Sequence, residues 1–341
     1  MKFTVIYTVL AILFTIFAQN HLNSDDLGFE SKAFYAKGVI TEEGAALIKS
    51  GPDKGTVLGI SPSEEISVAQ GDKVLLYASA NPETESLYSY YVSDYYHLDA
   101  LIWILVIFAA ITLLIGGKKG FKALYSLALS LLMIFGVLIP FVKAGYDPVM
   151  VSVIIGIITA LFTIHIIQGI NRTSFVAFTG TAGGLIFAAA VAFIAIKTAH
   201  LTGLSTEDSR LLSVYWPDLK FQGLLLSGII IGALGAIMDV SISISSALSE
   251  IKKHKPGIKS GELWQSGINI GKDIMGSMMN TLIFAYVGTS LSIIMLFYGS
   301  GTSLVEILNY GFVSEEIARS LIGSFALLAT IPITAAVAAK G

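Results

Sequence analysis

The chain has 341 residues, 54% hydrophobic and only 13% charged, about half the charge density of a soluble domain. That balance excludes an ordinary soluble fold, and a net charge of −3 leaves no basic face for phosphates, excluding a nucleic-acid partner. The absence of cysteine excludes disulfides, Cys-ligated metal centres and thiol catalysis, and with only three arginines among the 21 basic residues bidentate anion clamps are few.

Runs of roughly 20 apolar residues, the length that crosses a bilayer core, recur about eight times, near 3–18, 98–116, 121–142, 147–168, 173–199, 221–247, 274–298 and 316–338. The first reads as an uncleaved anchor rather than a signal peptide, because Phe17-Ala18-Gln19 is a poor cleavage step. With the N-terminus inside, Lys118, Lys119, Lys122, Arg172, Lys252, Lys253, Lys255, Lys259 and Lys340 fall in the cytoplasm. The opposite loops hold Lys143, Lys197, Arg210 and Lys220, and are richer in acids. Positive residues favour inside loops, so both termini are expected in the cytoplasm.

Residues 20–97 break this pattern. Phe34–Ile40, Ala45–Ile48, Thr56–Ile60 and Lys73–Ala78 read as strands between Gly, Pro and Asp turns. They predict a small extracytoplasmic Greek-key barrel of the OB type. The tyrosines of Ser86–Tyr96 read as an interfacial belt at the start of the next helix; a ligand platform is the alternative. The expected architecture is thus an α-helical integral membrane bundle with a small OB-like β-barrel: an anchor at 1–19, a β-domain at 20–97 and a seven-helix domain at 98–341.

Glycines crowd two helices, Gly180, Gly183 and Gly184 in one and Gly228, Gly232 and Gly235 in another. Small residues let helices approach closely; a broken helix at a permeation site is the sharper reading. Carboxylates inside apolar segments are functional candidates, because burying a charge in hydrocarbon is costly. Asp239, Ser243, Ser246 and Glu250 share one helical face. Asp273 is read as opening the next helix, with Ser277 and Asn280 continuing its face. The plain alternatives are an interfacial acid for Asp239, which falls in the cytoplasmic third of its helix, and a dipole-favoured helix start for Asp273. Ile258–Ile270 reads as a segment lying along the membrane surface. His165 and Gln168 end a helix on the same side, either as packing residues or with His165 as a proton relay. Gly169-Ile-Asn-Arg-Thr173 has an echo in Gly267-Ile-Asn-Ile-Gly271, a hint of an internal repeat. No phosphate loop, nucleophile elbow or His-Glu-x-x-His cluster is present.

The segments Gly235-Ala-Ile-Met-Asp-Val-Ser-Ile-Ser-Ile-Ser-Ser-Ala-Leu-Ser-Glu-Ile251 and Gly271-Lys-Asp-Ile-Met-Gly-Ser-Met-Met-Asn-Thr-Leu-Ile-Phe-Ala-Tyr286 resemble the YibE/F family of bacterial membrane proteins. The Gly169–Thr173 loop, Gly180-Thr-Ala-Gly183, Gly55 and Gly71-Asp72 fit the same resemblance. It implies a multi-pass protein of the bacterial inner membrane with an extracytoplasmic β-domain, and supplies no substrate.

Two functions compete. One is a transporter or exporter of a small ion or solute, cation- or proton-coupled through Asp239 and Asp273, with Ser243, Ser246, Ser277, Asn280 and His165 around them. The other is an accessory protein whose β-domain recruits an envelope or secretion partner. The expected partners are the lipid bilayer, a small ion or solute and, on the second reading, an extracytoplasmic protein; a homo-oligomer is compatible with either. Neither reading calls for a cofactor or an enzymatic activity, and a metal is left open.

Overall fold

The computed structural model describes Thr15 and residues 34–62, 66–80 and 88–340. Apart from Thr15, the expected anchor at 3–18 lies outside the described residues. The described chain divides into two compact units, residues 34–117 in one, and Thr15 with residues 118–340 in the other.

Five strands make the first unit: β1 (Phe34–Glu42), β2 (Ala45–Ile48), β3 (Val57–Ser61), β4 (Lys73–Ala80) and β5 (Tyr88–Tyr95). They close into a barrel in the order β1-β2-β3-β5-β4, with β3 and β5 parallel and the other pairs antiparallel. This is an OB-like arrangement. Alternation explains the closure, since every second residue faces in. Ala36 and Ile40 of β1, Ala46 and Ile48 of β2, and Val74, Leu76 and Ala78 of β4 fill the interior. Gly38 also faces in, where a Cβ would come 2.6 Å from Leu76 Cδ1.

The fifth strand corrects the sequence reading. Tyr88–Tyr95 is a strand of the barrel rather than the lead into a helix. Tyr90 is only 2% exposed and donates to Asp53 Oδ2 at 2.8 Å, while Val92 packs beside it in the core. Tyrosine suits a strand as well as a membrane interface, and the alternation of Tyr88, Tyr90 and Val92 is what places this segment in the sheet. Burial, helped by the Asp53 hydrogen bond and charge, pushes the Tyr90 hydroxyl well above the ordinary tyrosine range. The barrel is tied to the helix that follows it: Lys37 Nζ and Lys73 Nζ lie 2.9 and 2.7 Å from Asp99 Oδ2.

That helix, α1 (Leu98–Met133), leaves helical geometry at Gly117 (φ 50°, ψ −127°). Beyond the break it continues through a π-helical turn, Ile134–Leu138, into the short α2 (Ile139–Lys143). The stretches at 98–116 and 121–142, expected as two helices, are two helices that meet at this break, within an apolar stretch of 46 residues. The remaining helices are α3 (Pro148–Gln168), α4 (Arg172–Ala199), α5 (Glu207–Tyr215), α6 (Phe221–His254), α7 (Ser260–Thr289), α8 (Leu291–Ser300), α9 (Leu304–Asn309) and α10 (Gly311–Ala339). Among the described residues, five helical stretches are long and apolar enough to cross a membrane: Leu98–Lys143, α3, α4, α6 and α10. The pair α7 and α8, bent by 63°, makes a sixth if it counts as one span.

Local chemistry sets the helix starts. Asp147 accepts the Val149 and Met150 N–H groups, with Pro148 at the first helical position of α3. Asn171 caps α4 through the Ser174 N–H at 2.9 Å. Thr206 and Ser303 form capping boxes at α5 and α9. Helices α4 and α6 run unbroken, so their glycines mark no break, and all but Gly235 stand at close approaches. A Cβ on Gly184 would meet Thr330 Oγ1 at 2.0 Å, and one on Gly156 would meet Leu185 Cδ2 at 2.8 Å.

Candidate functional site

On α6 the exposed positions Gly228, Gly232, Gly235, Asp239, Ser243, Ser246 and Glu250 follow one another at steps of three and four. They form a single stripe along the helix, and it carries no bulky apolar side chain. On α7 the exposed Asn269, Asp273, Gly276, Ser277, Asn280 and Thr281 make a comparable stripe.

Two close approaches set the register between these helices. A Cβ on Gly267 of α7 would come 3.0 Å from Leu248 Cδ1 of α6, and one on Gly232 of α6 would come 2.8 Å from the Tyr286 hydroxyl of α7. The helices are therefore antiparallel, and equal rise per residue puts Ser277 level with Asp239, and Asp273 level with Ser243. Four of the sequence-derived residues thus share two adjacent levels. Neither carboxylate lines any of the three cavities described, and among the described residues no hydrogen bond or ion pair joins them. Both are open to the surroundings rather than enclosed.

The cytoplasmic-side expectations fare unequally. Gln168 Nε2 donates to Ser246 Oγ at 2.9 Å, so the end of α3 meets the α6 stripe. His165 lies half-buried one turn earlier on α3. Asp273 does not open a helix: α7 starts at Ser260, so the acid sits in mid-helix and the dipole-favoured alternative does not apply. For the same reason Ile258–Ile270 is not a separate surface segment. Gly267 and Gly271 let it press on α10, where added Cβ atoms would fall 2.7 Å from Ala335 Cβ and 2.2 Å from Ile331 Cγ2. The echo of Gly169–Thr173 fails too. The first copy is a capped helix start, while the second lies inside α7.

A polar cluster that the sequence reading passed over lies at the first turns of α10. Arg319 Nε stands 3.2 Å from Glu316 Oε1 without the alignment of a hydrogen bond, and its guanidinium lies 6.0 Å from the Tyr286 ring centre. Gly228 makes room for it: a Cβ there would lie 3.1 Å from Arg319 Nη1. Glu315 is buried and accepts the Gly203 N–H at 3.0 Å and the Ser205 hydroxyl, fastening the loop before α5 to α10. The Glu-Glu-x-x-Arg spacing at the start of a 29-residue apolar helix was the available signal. A span counted from 316 leaves these acids at its edge. The α6 stripe thus runs from the Arg319 side chain at Gly228, past the Tyr286 hydroxyl at Gly232, to Asp239 and Ser246.

Among the described residues no group of three His, Asp or Glu side chains could hold a metal ion. No curated protein and no solved structure gives a significant match. The model of the family described as YibE/F-like protein matches residues 104–341, which include both polar stripes and exclude the barrel. With most of the chain matched, the protein belongs to the YibE/F-like family.

Proposed function

We propose that this chain is a multi-pass membrane protein that moves a small ion or solute, with Asp239 and Asp273 attracting a cation or carrying a proton. The observation that carries the reading is the α6 stripe, an exposed row of glycine, serine and carboxylate on a helix long and apolar enough to span. Hydrocarbon gives such groups no hydrogen-bond partner, so a stripe of this kind is stable only against water or protein. The α7 stripe beside it adds Asp273, Ser277 and Asn280 at matching levels. Two carboxylates on neighbouring levels favour cations and coupled protonation over a bare anion.

Lys118, Lys119, Lys122, Arg172, Lys252, Lys253, Lys255 and Lys259 cluster in segments that alternate helix direction assigns to one side, which supports a cytoplasmic side there. On this reading the barrel and the 199–221 loop are extracytoplasmic, both termini are cytoplasmic, and the bacterial inner membrane is the site of action.

The accessory reading draws on one observation: the barrel wall presents Tyr35 and Tyr77 in edge contact, 61% and 37% exposed, a surface suited to a protein partner. Deleting residues 24–92 separates the two. A transporter core keeps its flux in proteoliposomes, whereas a recruiter loses its function.

A further inference from the structure

The largest of the described cavities, 810 Å³, opens where α2, the turn into α3, α5 and the start of α6 meet. Its lining has two chemistries. Leu138 and Leu224 belong to its apolar wall, as do Leu212 and Trp216 of the α5 region. Lys143 and Lys220 stand at the ends of their helices. Leu138 lies five residues before Lys143 and Leu224 four after Lys220, so the apolar wall begins roughly 6–8 Å further along the helices than the charges.

The two lysines differ in their partners. Lys220 Nζ lies 3.2 Å from Asp147 Oδ2, a carboxylate already engaged with two α3 N–H groups. Lys143 is half-buried and, among the described residues, has no ion-pair partner. Asp218, also on the rim, is exposed and makes no described ion pair. A half-buried cation above an apolar wall calls for an anion with a hydrocarbon tail. The covering helix fits that occupant: α5 has no buried residue, and Leu211 and Val214 are 54% and 74% exposed on it, as on a helix lying at an interface. The π-helical turn Ile134–Leu138, a feature frequent at functional sites, ends on the cavity wall.

We propose that this cavity binds an anionic amphiphile drawn from the membrane, its phosphate or carboxylate head on Lys143 and its chain along Leu138 and Leu224. The inference rests on the membrane placement and not on transport, because neither Asp239 nor Asp273 takes part. Trp216 on the wall supplies the reporter. The full-length protein, with Trp103→Phe and Trp264→Phe, is purified in a neutral detergent and titrated with ω-bromododecyl phosphate, whose bromine quenches nearby indole fluorescence. Saturable quenching is expected, weakened about ten- to hundredfold in Lys143→Gln, the worth of one hydrogen bond to a charged group, and largely restored in Lys143→Arg. Neutral ω-bromododecanol should quench only weakly, and inorganic phosphate should not displace the amphiphile. Equal quenching by the alcohol overturns the proposal, as does unchanged affinity in Lys143→Gln. Displacement by inorganic phosphate also overturns it, in favour of a free-anion pocket. Should Lys143→Gln fail to fold, the alcohol and phosphate arms on the unsubstituted site still decide.

Discussion

Gly180 of α4 and Thr334 of α10 interlock: a Cβ on the glycine would fall 2.0 Å from Thr334 Oγ1 and 3.0 Å from Ser241 Oγ of α6. Three helices meet at this point. Thr334 Oγ1 donates to the Thr330 carbonyl at 2.8 Å and lies 3.4 Å from Ser241 Oγ, so the seam is polar yet satisfied. Gly180→Val should therefore destabilise the purified protein by about 1–3 kcal/mol, the usual cost of overpacking. Gly235→Ala, where no atom lies within 4 Å, should be neutral or slightly stabilising through helix propensity. Thermal melts in detergent compare the two, and equal melts would contradict this packing.

Tyr90 gives the barrel an alkaline limit. Its pKa is raised on folding, so its contribution is complete below the unfolded value of about 10 and is lost as pH rises above that. Hydrogen exchange of the strand amides in the full-length protein should accelerate above about pH 10. Tyr90→Phe should flatten that dependence while costing about 1 kcal/mol at neutral pH through the lost Asp53 bond. A steep alkaline response retained in Tyr90→Phe would exclude Tyr90 as its source.

Asp147 gives the start of α3 an acid limit. Burial would raise its pKa, but the Met150 N–H, the Lys220 ammonium and the Val149 N–H outweigh it and hold the carboxyl below its ordinary value. A lowered folded pKa stabilises above the unfolded value of about 3.9, and the contribution fades as pH falls through the folded one. Asp147→Ala should cost roughly 1 kcal/mol at neutral pH, the worth of a helix cap. Its melting deficit should shrink as pH drops below about 4; a deficit independent of pH would show that the charge plays no part.

Topology follows from the lysine distribution. A cysteine at Ser61, exposed on β3, should react with a membrane-impermeant maleimide in intact cells. One at Ser260, exposed at the start of α7, should react only after permeabilisation. The absence of cysteine in the natural chain keeps the background clean. Labelling of Ser260→Cys in intact cells would reverse the orientation.

Four of the five strands and most of the apolar helices were legible because alternation and long apolar runs are local signals. Strand β5 was not, since a cluster of tyrosines reads equally as an interface until its partner Asp53, 37 residues away, is known. The start of α7 was hidden for a related reason. Gly267 and Gly271 read as the echo of a loop, and only the Ala335 and Ile331 side chains of α10 reveal them as contact points. Asp239 and Asp273 were visible as acids in apolar surroundings. Their matched levels with Ser277 and Ser243 depend on the antiparallel register, and the Glu316–Arg319 pair against Tyr286 depends on tertiary packing; sequence spacing carries neither.

The central claim concerns the carboxylates on the α6 and α7 stripes. Full-length protein and its Asp239→Asn and Asp273→Asn variants are reconstituted into liposomes, and flux is followed across a panel of monovalent and divalent cations and a proton gradient. The asparagines keep shape and polarity, so expression and melting should match the unsubstituted protein. The account predicts flux of at least one cation or of protons in the unsubstituted protein, and its loss in both variants. Undiminished flux in both variants would contradict it.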